Sequence, residues 1–259
     1  MIKKMKEIYN YREMIFSLIK RDLRGRYKAS VLGFLWTFLN PLFQLLIYTL
    51  VFSVIMRSNI EQFYIYLFVG LVPWTFFSTC VSGGASCVVS QEHLIKKIYF
   101  PRIILPISFV TSAFINMLLT FLVIFAVLIF SGFGFSLGAL CFLPLIMLVE
   151  YILALGICML TSALTVYFRD LEYILGILTM AWMYITPILY SVDIVPEEYK
   201  KIFYFNPMTP IIQAYQQILY YKQTPELETF LRVILIGLLF LIGGCVTFEK
   251  IQKRFVEEL

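Results

Sequence analysis

IILPISFVTSAFINMLLTFLVIFAVLIFSGFGFSLGALCFLPLIMLVEYILALGICMLTSALTVYF, from Ile103 to Phe168, runs for 66 residues and carries one charged side chain, Glu150. About 20 residues at a rise of 1.5 Å cross the hydrocarbon of a bilayer. The stretch therefore holds two spans, 103–130 and 139–168, and SGFGFS at Ser131–Ser136 is the natural turn between them. Working outward from it, the same criterion predicts spans at 31–56 and 63–89 on one side and at 173–192 and 230–249 on the other. The expected fold is an all-α integral membrane protein of six transmembrane helices forming a single domain.

Composition agrees with that class. Of the 259 residues 61% are hydrophobic and only 14% charged, and the mean hydropathy is +0.86. A soluble domain runs near half apolar and a quarter charged. The net charge of +5 does not call for nucleic acid, because it is distributed by side. With six spans, the side holding the N-terminus carries 16 Lys and Arg and the other side carries 5. The positive-inside bias then places both termini in the cytoplasm. A cleavable signal peptide is not expected, since the first apolar run begins only near Val31 and is too long for one.

Three segments outside the spans stand out. Asn10–Lys28 (NYREMIFSLIKRDLRGRYK) sets Ile15, Ile19, Leu23 and Tyr27 at i, i+4 spacing, with Lys20, Arg21, Arg24 and Lys28 elsewhere on the wheel. That pattern predicts a basic amphipathic helix at the cytoplasmic interface. A plain positive-inside anchor fits the same residues. Gln91–Arg102 (QEHLIKKIYFPR) is a short cytoplasmic segment stopped by Pro101, with room for two or three turns of helix or a featureless loop. The outer segment 193–229 is too long and too aromatic for a simple connection. Pro196 with Glu197 and Glu198 reads as one helix start, Asn206-Pro207 as its stop, and Thr209-Pro210 as a second start running towards Tyr221. A re-entrant pair would bury its aromatic residues, Phe203, Tyr204 and Tyr215 among them. A pair lying flat on the outer surface is the alternative.

The chain carries no G-x-x-x-x-G-K-[ST] sequence, so no P-loop is present to hydrolyse ATP. With one histidine, His93, a histidine-based metal site or catalytic triad is not expected, and no catalytic, cofactor-binding or metal residue is assigned. The five cysteines lie inside apolar runs and read as small buried hydrophobes. Ion-coupled carriers use acids or histidines within their spans, whereas Glu150 stands alone here. It faces a polar cavity or is bonded to a neighbouring span, and the sequence leaves both open. Energy for transport would then come from a partner. Phe34, Trp36 and Tyr48 in the first span and Trp182 and Tyr184 in the fifth sit deeper than an interfacial belt requires. Lining a conduit for a glycan accounts for them, and so does aromatic packing.

In order along the chain come RDLRGRYKASVLGFLW (Arg21–Trp36), GLVPWTFF (Gly70–Phe77), HLIKKIYFPRIILP (His93–Pro106), FRDLEYIL (Phe168–Leu175), TPILY (Thr186–Tyr190) and NPMTP (Asn206–Pro210). Together they resemble the permease subunits of bacterial polysaccharide ATP-binding-cassette exporters, over nearly the whole chain. The resemblance implies translocation of a lipid-linked polysaccharide of O-antigen, capsule or teichoic acid type across the bacterial cytoplasmic membrane. It implies a homodimer with its channel at the dimer interface, built largely from the first and fifth spans, and two copies of a separate ATPase that binds ATP and Mg. It makes the basic helix a gate helix, with Arg21, Arg24, Arg26 and Tyr27. It makes Gln91–Arg102 a coupling helix, with Glu92, His93, Leu94, Ile95, Lys96 and Lys97 against the ATPase, and places the re-entrant helices at the outer mouth. The competing reading is a polytopic membrane enzyme of lipid-linked sugars, a polymerase or glycosyltransferase. That class needs acids, Arg or His gathered at one interface, and the outer segment offers only Asp193, Glu197, Glu198 and scattered Lys.

Overall fold

The computed structural model describes residues 2–25, 32–51 and 60–259, and among them the regular structure is entirely helical. Thirteen α-helices follow in order. Helices α1 (Ile2–Asn10) and α2 (Arg12–Gly25) precede α3 (Trp36–Thr49), α4 (Phe63–Ser78) and the short α5 (Glu92–Lys97). Next come α6 (Ile104–Phe130), α7 (Leu137–Leu140), α8 (Leu143–Thr165) and α9 (Leu171–Ile185). The last four are α10 (Glu197–Phe205), α11 (Met208–Leu219), α12 (Leu227–Ile251) and α13 (Phe255–Glu258).

Among the described residues four stretches are long and apolar enough to cross a membrane: Phe63–Gly83, Ile104–Phe130, Leu137–Thr165 and Phe230–Arg254. The 27 residues of α6 would extend about 40 Å, more than the ~30 Å of hydrocarbon. Helix α9, at 15 residues, extends only about 22 Å. It ends at Ile185 rather than at 192 because Thr186 precedes Pro187, and a residue before proline is driven out of the helical region. Thr186 accordingly sits at φ −105°, ψ 133°. Of the first predicted span, residues 31 and 52–56 lie outside the described residues.

The second predicted span, 63–89, is broken. It is α-helical to Ser78, widens into a π turn over Thr79–Gly83 and continues in 3-10 turns to Gln91. Thr79 and Ser82 turn their hydroxyls back onto the carbonyls of Thr75 and Ser78 at 2.7 Å each, which bends helices, and a glycine pair follows. Gly84 then lets this stretch press against α8, where a Cβ would stand 2.6 Å from the Cys158 sulfur.

Helix α12 lies along α8. The two meet backbone to backbone at Gly156 and Gly244, where a methyl on either residue would overlap the other helix's main chain. Association in lipid lacks a hydrophobic drive and depends on such close approach. Helix α2 packs on α6 through buried Leu18 and Ile19 rather than lying free. Helix α11 is buried except at Gln213 and Gln217, wedged among α4, α8 and α12, whereas α10 leaves Tyr199 and Phe205 exposed. The start of α11 falls at Met208, two residues before the Pro210 that Thr209-Pro210 predicts, because the Asn206 side-chain oxygen accepts the Met208 N–H at 2.9 Å.

The contacts sort the bundle into two ends. At one, the Arg102 guanidinium donates to the Gln252 carbonyl and the Tyr167 hydroxyl reaches the Ile251 carbonyl at 3.5 Å. At the other, the Tyr66 hydroxyl donates to the Tyr190 carbonyl at 3.0 Å, and Tyr220 stacks on Phe133. Of the cysteines, Cys80, Cys87 and Cys158 are buried and Cys245 half-buried, but Cys141 is exposed, since the α7–α8 junction turns it outward.

Candidate functional site

A cavity of about 400 Å³ opens between α3, α4 and α6. Helix α3 presents Trp36, Asn40 and Gln44 to it, spaced by four residues and so stacked on one face. Helix α4 contributes Phe68, Leu71 and Thr75, the π turn after it Thr79, and α6 contributes Asn116 and Thr120 from the middle of its length. Among the described residues the lining has no Asp, Glu, Lys, Arg or His. Pro41, also on the wall, removes the helical bond that would run to the Thr37 carbonyl. Thr75, Thr79 and Thr120 donate to carbonyls of their own helices at 2.7–3.0 Å and keep oxygen lone pairs as acceptors. Asparagine and glutamine amides each bring two donors and an acceptor. At hydrocarbon depth such groups need polar company.

Of the aromatic residues expected along a conduit, only Trp36 lines this cavity. Tyr48 is half-buried three turns further along α3, and Phe34 is exposed, edge-on to Phe38. Trp182 instead performs a structural task. Its indole N–H donates to Asn206 Oδ1 at 2.9 Å, and its ring packs edge-on against Phe77 at 5.3 Å and Trp74 at 6.4 Å. The same Asn206 donates through Nδ2 to Thr186 Oγ1 at 2.9 Å, tying the end of α9 to the start of α11. Tyr184 is 62% exposed, and most of α9 is uncovered, with only Thr179 buried.

Phe203 is half-buried and edge-on to Tyr190 at 6.2 Å, while the side chain of Tyr204 lies outside the described residues. Tyr215 does not line an outer mouth. It is fully buried, and its hydroxyl donates to Glu150 Oε2 at 2.7 Å. Glu150 is fully buried too, and its Oε1 has no hydrogen-bond partner among the described residues. The acid thus bonds to α11 and does not line the polar cavity.

Arg21 is exposed beside Asp22, at 3.6 Å, on a cleft of about 380 Å³ that Ser86, Ser90 and Gln91 also border. Arg24 is exposed, and Arg26 and Tyr27 lie outside the described residues. In α5, Lys96 Nζ bonds to Glu92 Oε1 at 2.7 Å, and that bond with the ammonium charge holds the Glu92 carboxyl below the usual carboxylate range. His93, Lys96 and Lys97 are exposed and Leu94 is half-buried. Ile95 is only 6% exposed, packed into this chain's own core, while Tyr99 just beyond the helix is 88% exposed. The apolar side chains presented outward at this end are therefore Ile98 and Tyr99 rather than Ile95.

Among the described residues, no group of three His, Cys, Asp or Glu side chains could hold a metal ion. Long apolar helices around a polar, uncharged cavity make this a multi-pass membrane protein of the transport class. The chain belongs to the family described as ABC-2 type transporter, whose profile matches residues 13–220. It is 35% identical over 261 residues to the O-antigen export system permease protein RfbA of Myxococcus xanthus, covering 100% of both chains. It is 33% identical to the Klebsiella pneumoniae protein of the same name, over 95% of each. The polysialic acid transport protein KpsM of Escherichia coli is 24% identical over 203 residues, 76% of this chain and 77% of that one.

Proposed function

We propose that this chain is the membrane-embedded permease of an ATP-driven exporter that moves a lipid-linked polysaccharide across the bacterial cytoplasmic membrane. The observation that carries the reading is the uncharged, amide-rich cavity at mid-depth in a chain without a P-loop. It suits a hydroxyl-rich passenger and leaves the energy to another protein. The likeness to O-antigen and polysialic acid permeases supports the passenger class.

In this reading the chain is not itself an enzyme. It spans the membrane six times, with α3 and its flanking residues as the first span and α9 as the fifth. Both termini are cytoplasmic, and two copies pair around a channel with two ATPase subunits beneath them. The uncovered surface of α9 supports pairing along that helix. Near-complete burial of α11 supports re-entry of the outer segment into the bundle. The segment from Gln91 to Arg102, with α5 at its centre, meets the ATPase, and α2 guards the cytoplasmic entrance.

Deleting the gene should strip the polysaccharide from the cell surface and accumulate it on its lipid carrier inside, and restoring the chain with its ATPase should reverse both. Normal surface polysaccharide in the deletion strain would reject the proposal.

A further inference from the structure

We infer that the cavity between α3, α4 and α6 is a binding site for an uncharged sugar segment, and that it selects neutral against acidic glycans. The inference rests on the exporter reading and adds to it a substrate class and the residues that set it. Asn40 and Gln44 lie on one face of α3 and Asn116 faces them from α6, so amides border the space on two sides. Neighbouring hydroxyls on a sugar both donate and accept, and a carboxamide answers both at once. Thr75 and Thr120, whose protons are committed to their own helices, add acceptors only. The indole of Trp36 closes one wall with an apolar face, suited to the C–H face of a sugar ring. A volume of about 400 Å³ falls in the range of small-molecule pockets, ~300–1,000 Å³.

Among the described residues the lining carries no charge, and that is the selective element. A uronic or sialic acid carboxylate would enter a space where the described residues offer no Lys, Arg or His to pair it. A neutral hexose carries no such cost. Discrimination of this kind is large when a site strands a polar group and small when it merely fits less well.

The test uses the full permease with its ATPase, in cells and in nanodiscs. Asn40→Leu, Gln44→Leu and Asn116→Leu should each lower export roughly tenfold, the scale of one buried hydrogen bond left unmade, while the ATPase still co-purifies. Composition analysis of the exported polysaccharide should find repeats free of acidic sugars. In a Thr75→Cys variant, labelling of position 75 by a maleimide, read by peptide mass spectrometry, should slow several-fold when lipid-linked glycan from the producing bacterium is added. That readout decides the matter even if the leucine variants fail to assemble. Wild-type export through all three leucine variants, unchanged labelling at position 75, or acidic repeats in the exported chain would each overturn the inference while leaving the exporter reading intact. A wild-type protein that exports no glycan would instead overturn the exporter reading.

Discussion

Removing the Tyr215 hydroxyl should loosen the outer helix by an amount that the geometry sets. That hydroxyl donates to Glu150 Oε2 at 2.7 Å, both residues are fully buried, and Oε1 has no partner among the described residues. Tyr215→Phe therefore strands the whole carboxyl group and opens almost no space. Stranding a buried polar group costs about 1–3 kcal/mol. Hydrogen bonds within membrane proteins average nearer ~0.6 and reach ~1.7 kcal/mol, because the unfolded chain also finds partners. Complete burial and the lack of a second partner place this bond at the upper end, about 1.5 kcal/mol, or roughly a tenfold change in the folded-to-unfolded ratio. Glu150→Gln, which keeps an acceptor of the same size, should cost less than Tyr215→Phe. Glu150→Leu should strand the Tyr215 hydroxyl instead. Since the pair is in direct contact, the double variant Tyr215→Phe with Glu150→Leu should cost about 1 kcal/mol less than the two single costs added. Reversible unfolding in mixed micelles measures all four. Additivity within ~0.3 kcal/mol, the behaviour of independent sites, would refute the assignment of this bond as the tie between α8 and α11.

Gly156→Val and Gly244→Val should each part α8 from α12 and prevent stable assembly, read as loss of a monodisperse peak in detergent; normal elution would contradict the backbone contact. Asn206→Leu removes the acceptor of the Trp182 indole and the partner of Thr186, so limited proteolysis between α9 and α11 should accelerate, whereas Tyr184→Ala should leave it unchanged. Tyr99→Asp should weaken crosslinking to the ATPase without lowering thermal stability, and Ile95→Asp should lower stability itself; the reverse pattern would restore Ile95 as the outward anchor. Because Lys96 holds the Glu92 carboxyl low, their contribution is present at neutral pH and fades as pH falls through the lowered midpoint. Lys96→Ala should move the Glu92 titration, followed by NMR, up towards the ordinary carboxylate range, and an unmoved midpoint would count against the pair.

The strongest feature of the sequence was also its most legible. The predicted spans 103–130 and 139–168 sit within three residues of α6 and of α7 with α8, because so long a run with a single charge has no other stable form in lipid. Endings were harder to read. The stop of α9 follows from Pro187, but the run of apolar residues continues past it and hides the boundary. The break after Ser78 depends on hydroxyls bonding backwards and on a tight approach to α8, which no periodicity records.

At the site, attention to aromatic residues found Trp36 and overlooked its neighbours. A polar stripe was visible in the sequence all along, since Trp36, Asn40, Gln44 and Tyr48 recur every fourth residue through an otherwise apolar span. Asn116 carried no comparable signal, because its meaning depends on which helix α6 faces. The partner of Glu150 was invisible for the same reason, with 65 residues between acid and tyrosine.

The glycine seam between α8 and α12 also constrains the order in which the protein can be made. Three helices, α9, α10 and α11, must leave the ribosome before α12 arrives to cover Gly156. Until then the α8 backbone at that point faces lipid, where no side chain shields it. A ribosome that stops short of Gly244 therefore leaves an open groove rather than a smaller finished protein, and membrane quality control has a feature by which to recognise the incomplete chain.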